Sequence, residues 1–301
     1  MNAINVAIEL SNGAEADGIA SISEPMSGSD LNIGDGFRAR SFRAAEAGEA
    51  MDPLVMVDHY VMTEPTFGTH PHAGMSAVSL LFEDSEGLFH NRDSLGNDFD
   101  LQPGDLYWLS AGRGALHNES PRPAARIHGL QVFVNVPQVQ RFDPPVSLLV
   151  RSTEMPVITN TDSRVKVVLG ESNGVCGVVS PSISMTILDG TVRRGGTFSH
   201  QAAPNRGIWV QSVEGRLDVV AGEKTTHLDS RQGVAIKTNG QTNITIRSAS
   251  DEPVHFAMFD GAEVAETYVQ DGPFVMGSLE QIATIKADYE SGQLGSIPDD
   301  H

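Results

Sequence analysis

This chain never sustains an apolar pattern for long. Pro53–Val61, Met75–Phe82, Leu106–Leu109 and Arg126–Val136 are apolar-rich stretches, each followed by turn-forming residues. Strands this short, at this spacing, predict an all-β sandwich or barrel. The Pro103-Gly104 pair marks a turn just before one of them. A break follows from Pro137 to Pro156 around Pro144-Pro145, and the same style then resumes. Val165–Leu169, Ser182–Leu188, Gly207–Val213, Arg216–Val220, Gly233–Ile236, Asn243–Arg247 and His255–Phe259 all read as strands. Leu81–Gly87 and Val213–Leu217 read as hairpins.

A length of 301 residues suits two domains. We expect two β domains of similar design, residues 1–140 and 141–301, as from a duplication that left little direct identity. The polar, acidic first 35 residues are expected to hold one short edge strand after a loosely ordered start. One helix stands out near the end. Ser278 caps it, Gln281 completes a capping box, and Ile282, Ile285 and Tyr289 recur at helical spacing. Gly292 stops it, and Pro298–His301 are expected to fray.

Charge excludes one class of function. A formal net charge of −19 repels phosphate backbones, so direct nucleic-acid binding is not expected. Arg193-Arg194 is the strongest basic feature and stands alone, so a role near DNA would run through a protein partner. The single cysteine, Cys176, cannot form an internal disulfide and reads as a structural thiol among neighbours that look buried or turn-like. Met1 to Gly18 lacks a basic, then apolar, leader pattern, and no apolar stretch is long enough for a membrane helix. A cytoplasmic location is the default expectation.

Two residue pairs point to chemistry. His70-Pro71-His72 and His117-Asn118-Glu119 each place two metal-capable side chains at i and i+2. Along a strand those positions share a face, so two strands can aim three imidazoles and a carboxylate at one point. Pro71 has no N–H to give, which suits a strand start or edge. The glycine-rich stretch Ser110–Gly114 precedes the second pair and reads as a tight turn. Imidazole plus carboxylate with open positions suits non-haem iron. The two pairs are expected on opposite walls of one barrel. His200, His227 and His255 stand isolated and read as surface or satisfied core histidines. Among the others, His90 and Phe67 are candidates for the pocket lining, whereas Met75 and Trp108 read as core.

Three segments resemble the pirins, a family of two-domain cupins. They are Thr69–Gly74, Gln102–Pro121, and Gly272–Met276 followed by the terminal helix through Asp288-Tyr289 to Gly292. The resemblance covers residues 37–140 well and 180–295 more loosely. It implies two tandem cupin barrels (double-stranded β-helices, jelly-roll-like) with a short C-terminal helix and a metal in the first barrel alone. It also implies an iron site on His70, His72, His117 and Glu119, the same four residues. The implied cofactor is one divalent transition metal ion, Fe(II) foremost, and the same ligand set can also hold manganese, nickel, copper or zinc.

The resemblance implies two alternative roles. One is a quercetin 2,3-dioxygenase type of oxidoreductase, which opens a flavonol with dioxygen and releases carbon monoxide; Glu119 would take the substrate's hydroxyl proton. The other is a redox-responsive regulator that meets a transcription factor or metabolic enzyme. The partners are then a small aromatic substrate or a protein, without a membrane. Many pirins carry Arg and Glu where this chain has Ala73 and Ser76. That difference is expected to alter the surroundings of the metal.

Overall fold

The computed structural model describes residues 18–298. The expectations for the chain's first residues and for its last three lie outside these. The apolar runs become strands of two antiparallel barrels, each a seven-stranded sheet faced by a four-stranded one. The first large sheet runs Val146–Val150, Leu106–Ser110, Met75–Leu81, Ile127–Asn135, Leu54–Met62, Phe37–Arg43, Ser29–Ile33. Facing it are His70–His72, Ala115–Pro121, Phe89–Asp93 and Asp98–Leu101.

The second barrel repeats this layout. Its large sheet runs Ile19–Ile22, Gly233–Thr238, Arg206–Glu214, Val254–Ala262, Met185–Val192, Ser163–Leu169, Val157–Thr159. Thr197–Ala202, Thr242–Ser248, Leu217–Ala221 and Lys224–Leu228 face it. This is the cupin architecture.

The sheets do not divide at residue 140. Val146–Val150, inside the proline-rich break, pairs with Leu106–Ser110 of the first barrel. Ile19–Ile22 crosses to the edge of the second barrel beside Gly233–Thr238. Each barrel thus draws an edge strand from beyond its own stretch of sequence. These strands cover edges that would otherwise expose unpaired backbone groups.

Strand alternation sorts the core into three layers. Phe37, Tyr60, Leu81, Tyr107 and Leu109 fill the first barrel with Phe89 and Leu101. Val165, Leu188, Ile208, Phe256 and Ile244 fill the second. The opposite faces of the large sheets meet between the barrels, where Val78, Leu80 and Trp108 pack with Ile187, Trp209 and Phe259. Fully burying each such side chain contributes about 1.5–3 kcal/mol, so the interface is a third core rather than a contact.

A hydrogen-bonded chain crosses that interface. Asp84 accepts from His128 Nδ1 (2.8 Å), and His128 Nε2 lies 2.8 Å from His59 Nε2. Gln211 Nε2 donates to His59 Nδ1 (3.2 Å), and Trp209 Nε1 donates to Gln211 Oε1 (3.3 Å). The directions are mutually consistent if His128 carries its proton on Nδ1 and His59 on Nε2.

The terminal helix spans Leu279–Glu290. Ser278 caps it by accepting from Gln281 N (3.2 Å), while the Gln281 side chain reaches back to the Gly277 N–H. Ile282 and Ile285 are buried against Ala73, Phe274 and Met276 of the first barrel's rim. Tyr289, expected on the same face, is largely exposed. Among the described residues no helix is long and apolar enough to cross a membrane.

Candidate metal centre

The two ligand pairs sit on adjacent strands, not on opposite walls. His70–His72 pairs antiparallel with Ala115–Pro121, in a register that sets His70 directly across from His117 and His72 across from Ala115. Directly opposed and diagonal side chains on one sheet face lie within reach of each other. The three rings therefore converge without help from the far sheet. His117 Nε2 lies 2.9 Å from both His72 Nε2 and His70 Nε2.

That spacing is a test of fit. Nitrogens about 2.1 Å from one ion are about 3 Å apart when their bonds are perpendicular and about 3.4 Å apart in a tetrahedron. The two separations from His117 match neighbouring positions on an octahedral ion, and the ligand nitrogens of His70 and His72 lie within 4.8 Å of each other. Protonation states agree. His70 Nδ1 donates to the Gly68 carbonyl (2.9 Å), which leaves its Nε2 lone pair facing the cluster. Burial holds His72 and His117 well below the ordinary imidazole value, and lowers His70 as well, so the rings stay neutral. Among the described residues these three are the only such group of convergent metal-binding side chains.

Glu119 stands beside the triad, not within it. Its Oε2 is 3.8 Å from His117 Nδ1, whereas His117 Nε2 faces the cluster. Ser79 Oγ donates to Glu119 Oε1 (2.7 Å) and lies 2.8 Å from Gln131 Oε1. Burial pushes the Glu119 carboxyl up to about 7, against the lowering effect of the Ser79 hydrogen bond. A metal ion nearby would favour its charged form.

The triad ends a cavity of about 430 Å³. Phe37, Phe67, Phe89, Phe133, Met56 and Met62 supply apolar walls, and Arg43, Asp58, Tyr60, Glu119 and Gln131 supply the polar groups. Volume and composition match a small-molecule site. Phe67 borders the cavity as expected and packs edge-on to Phe37 (5.0 Å). His90 does not line it, because its ring is turned to Asp98 (2.8 Å). Met75 and Trp108 are core.

Gln270, Gly272 and Pro273 also line the cavity. They come from the hairpin Val269–Asp271 and Phe274–Met276, far along the chain. Val275 N donates to the Ala73 carbonyl (3.0 Å), which seats the hairpin beside the histidines. Gly74 makes room for it: φ is +73°, and a Cβ there would lie 1.9 Å from the Val275 carbonyl oxygen.

Two expected departures take a different meaning. Ser76 faces away from the triad, toward Ser110 Oγ (3.1 Å) and Ser182 Oγ (3.2 Å) at the inter-barrel core. Strand alternation explains this, since Ser79, three residues on, takes the opposite face and meets Glu119. Ala73 is fully buried under Phe274 and the terminal helix. Its small size admits the hairpin and does not open the metal's surroundings.

Cys176 is exposed rather than buried, in a short hairpin where Glu171 raises its thiol. His200 is a satisfied core histidine, held by Ser172 Oγ and Asp260 Oδ2, both at 2.9 Å. Its place is informative. Ala202 pairs with Thr242 and His200 with Ile244, as His72 pairs with Ala115 and His70 with His117. Ala202, Ile244 and Ile246 thus stand where the first barrel has His72, His117 and Glu119.

Sequence reasoning missed Asp58, Ser79, Tyr60 and Gln131. Asp58 carried a readable signal, a charge in the middle of the apolar run Leu54–Met62. Of the hairpin residues, Gly272 and Pro273 belong to a segment that carries the family resemblance, but only the tertiary fold brings them to the cavity.

Comparison with known proteins agrees with this geometry. The Pirin family model matches residues 35–134, and the model of the Pirin C-terminal cupin domain matches residues 187–295. A pirin-like protein of Arabidopsis thaliana is 30% identical over 249 residues, covering 82% of this chain and 90% of its own. A Pseudomonas aeruginosa protein provisionally named quercetin 2,3-dioxygenase is 26% identical over 284 residues, covering 90% and 96%. A quercetin 2,3-dioxygenase structure from Acinetobacter baumannii superimposes with a TM-score of 0.79 at 23% identity, covering 93% of this chain and 99% of that one. The Escherichia coli bacterial pirin YhhW, solved with nickel(II), gives 0.62 at 20% identity, covering 81% and 100%.

Proposed function

The chain belongs to the pirin family, and from that premise we propose that it is an Fe(II)-dependent dioxygenase acting on a flavonol such as quercetin. One observation carries the reading: a ligand-sized, aromatic-walled cavity ends on three neutral, convergent imidazoles. A structural ion needs no such cavity, and a purely regulatory one gains nothing from it.

In this reading His70, His72 and His117 hold the ion, and Glu119 beside them would complete the set as a fourth ligand. When bound, it supplies Lewis-acid polarisation, redox capacity and a template for substrate and dioxygen. The protein does the rest. Phe37, Phe67, Phe89 and Phe133 clamp a flat ring system and exclude water. Glu119 takes the proton of the flavonol hydroxyl on its Oε2, while the Ser79 hydrogen bond fixes its Oε1. Gly272 and Pro273 cover the cavity from the C-terminal side.

The experiment is to load the protein separately with iron, nickel, manganese, copper and zinc and to follow quercetin's visible absorbance in air. Loss with the iron form, above a metal-free control, is the expected result. No loss with any metal removes the dioxygenase reading. Capture of a protein partner that depends on Fe(II) against Fe(III), without turnover, would favour the regulatory role.

A further inference from the structure

A polar row runs along the large sheet beside the apolar cavity, and two of its members, Asp58 and Gln131, line it. Ser41, Asp58, Gln131 and Ser79 lie on four neighbouring strands in one register line: Ser41 opposes Asp58, Asp58 opposes Gln131, and Gln131 opposes Ser79. Ser79 touches Glu119, which marks the metal end. Neighbouring strands are ~4.8 Å apart, so Asp58 lies about 10 Å from Ser79, at the other end of the cavity.

The environment of Asp58 is one-sided. The residue is 6% exposed and lines the cavity. Its Oδ1 accepts from Ser41 Oγ (2.5 Å) and lies 3.8 Å from Arg43 Nη2. Among the described residues nothing donates to Oδ2. Oδ2 is not sealed off by protein, so it opens on the cavity that Asp58 lines, where apolar walls leave a charged oxygen short of donors.

We propose that Asp58 Oδ2 is the second recognition point of this cavity, accepting a hydrogen bond from a hydroxyl at the ligand end remote from the metal-binding oxygens. The inference rests on the flavonol reading and narrows it to flavonols hydroxylated on the pendant ring. A site built to hydrogen-bond a hydroxyl rejects the analogue that lacks it, because its own buried group is left unsatisfied. Hydrogen bonds to a charged group correspond to a preference of about ten- to a hundredfold.

The test is equilibrium binding to the full-length iron-loaded protein without oxygen, followed by quenching of tryptophan fluorescence. The probes are quercetin, dihydroxylated on the pendant ring, and galangin, which has none there. The wild type is expected to favour quercetin at least about tenfold. Asp58→Asn and Asp58→Ala should bring the ratio below about threefold while galangin affinity stays within about twofold. Equal binding of both flavonols to the wild type overturns the role of Asp58 and leaves the flavonol reading standing, with no variant needed. Binding of neither overturns both. An unchanged preference in a folded Asp58→Ala protein also overturns the inference.

Discussion

His70 and His117 face each other across two hydrogen-bonded strands with their Nε2 atoms 2.9 Å apart. Two neutral imidazoles at that distance form one hydrogen bond at most, and His72 Nε2 crowds the same point at 2.9 Å from His117. An ion satisfies all three lone pairs at once. His72→Ala and His117→Ala are therefore expected to weaken metal binding at least about a hundredfold, beyond the ~10–100-fold typical of an outer partner. Elemental analysis of purified variants, with circular dichroism to confirm folding, checks this. Full occupancy in both would refute the ligand assignment.

Ser79 offers a cleaner separation of binding from chemistry. Its hydroxyl holds Glu119 Oε1 at 2.7 Å and touches none of the three imidazole nitrogens in the cluster. Ser79→Ala is expected to leave metal content within about twofold and to lower flavonol turnover about tenfold or more, the scale of a misplaced acid–base group. Equal loss of metal and turnover would make Ser79 a structural residue only.

His59 makes the inter-barrel core sensitive to acid. Burial, then the positive character of His128, Arg231 and His255, pushes its imidazole down to about 3, against Asp84, which acts to raise it. An unfolded histidine titrates near ~6.5. Between those values the unfolded chain binds a proton that the folded chain does not, so stability falls as pH drops through the window and the contribution is present above ~6.5. Each unit corresponds to ~1.4 kcal/mol, so the effect amounts to a few kcal/mol. Urea midpoints from pH 7 to pH 4 should fall more steeply for the wild type than for His59→Gln. Parallel slopes would contradict this account.

The hairpin over the cavity depends on Gly74. Gly74→Ala adds a methyl 1.9 Å from the Val275 carbonyl oxygen at a backbone φ of +73°. We expect a loss of about 1–3 kcal/mol and a hairpin released from Ala73. Urea denaturation measures the first, and hydrogen exchange at the Val275 amide measures the second. Unchanged protection there would show that the hairpin seats by other contacts.

Much of this was legible in the residues, for physical reasons. Apolar strands buried on both faces, such as Met75–Leu81, announce themselves; Phe89–Asp93 and Thr197–Ala202 bury one face and read as polar. The i and i+2 spacing identified the histidines, because strand geometry alone places both on one face. That the pairs are neighbours rather than opposite walls depends on the register of His70 with His117, which local sequence does not encode. Ser76 was misplaced for a related reason: one step along a strand reverses the face, and Ser79 rather than Ser76 meets Glu119. The small, apolar neighbours of Cys176 suit either buried or turn-like backbone, and a two-residue hairpin leaves it in solvent.

The crossing of segments between the barrels also governs the order in which the site can be assembled. During synthesis His70, His72, His117 and Glu119 leave the ribosome early, but the hairpin that covers their cavity and the helix that seats it emerge almost last. The second barrel, for its part, waits with an uncovered edge that only the already-made Ile19–Ile22 strand can fill. A nascent chain halted after the first barrel would thus present the histidines to any passing ion with no wall on the C-terminal side. Any discrimination among ions or small molecules would then wait for the finished molecule.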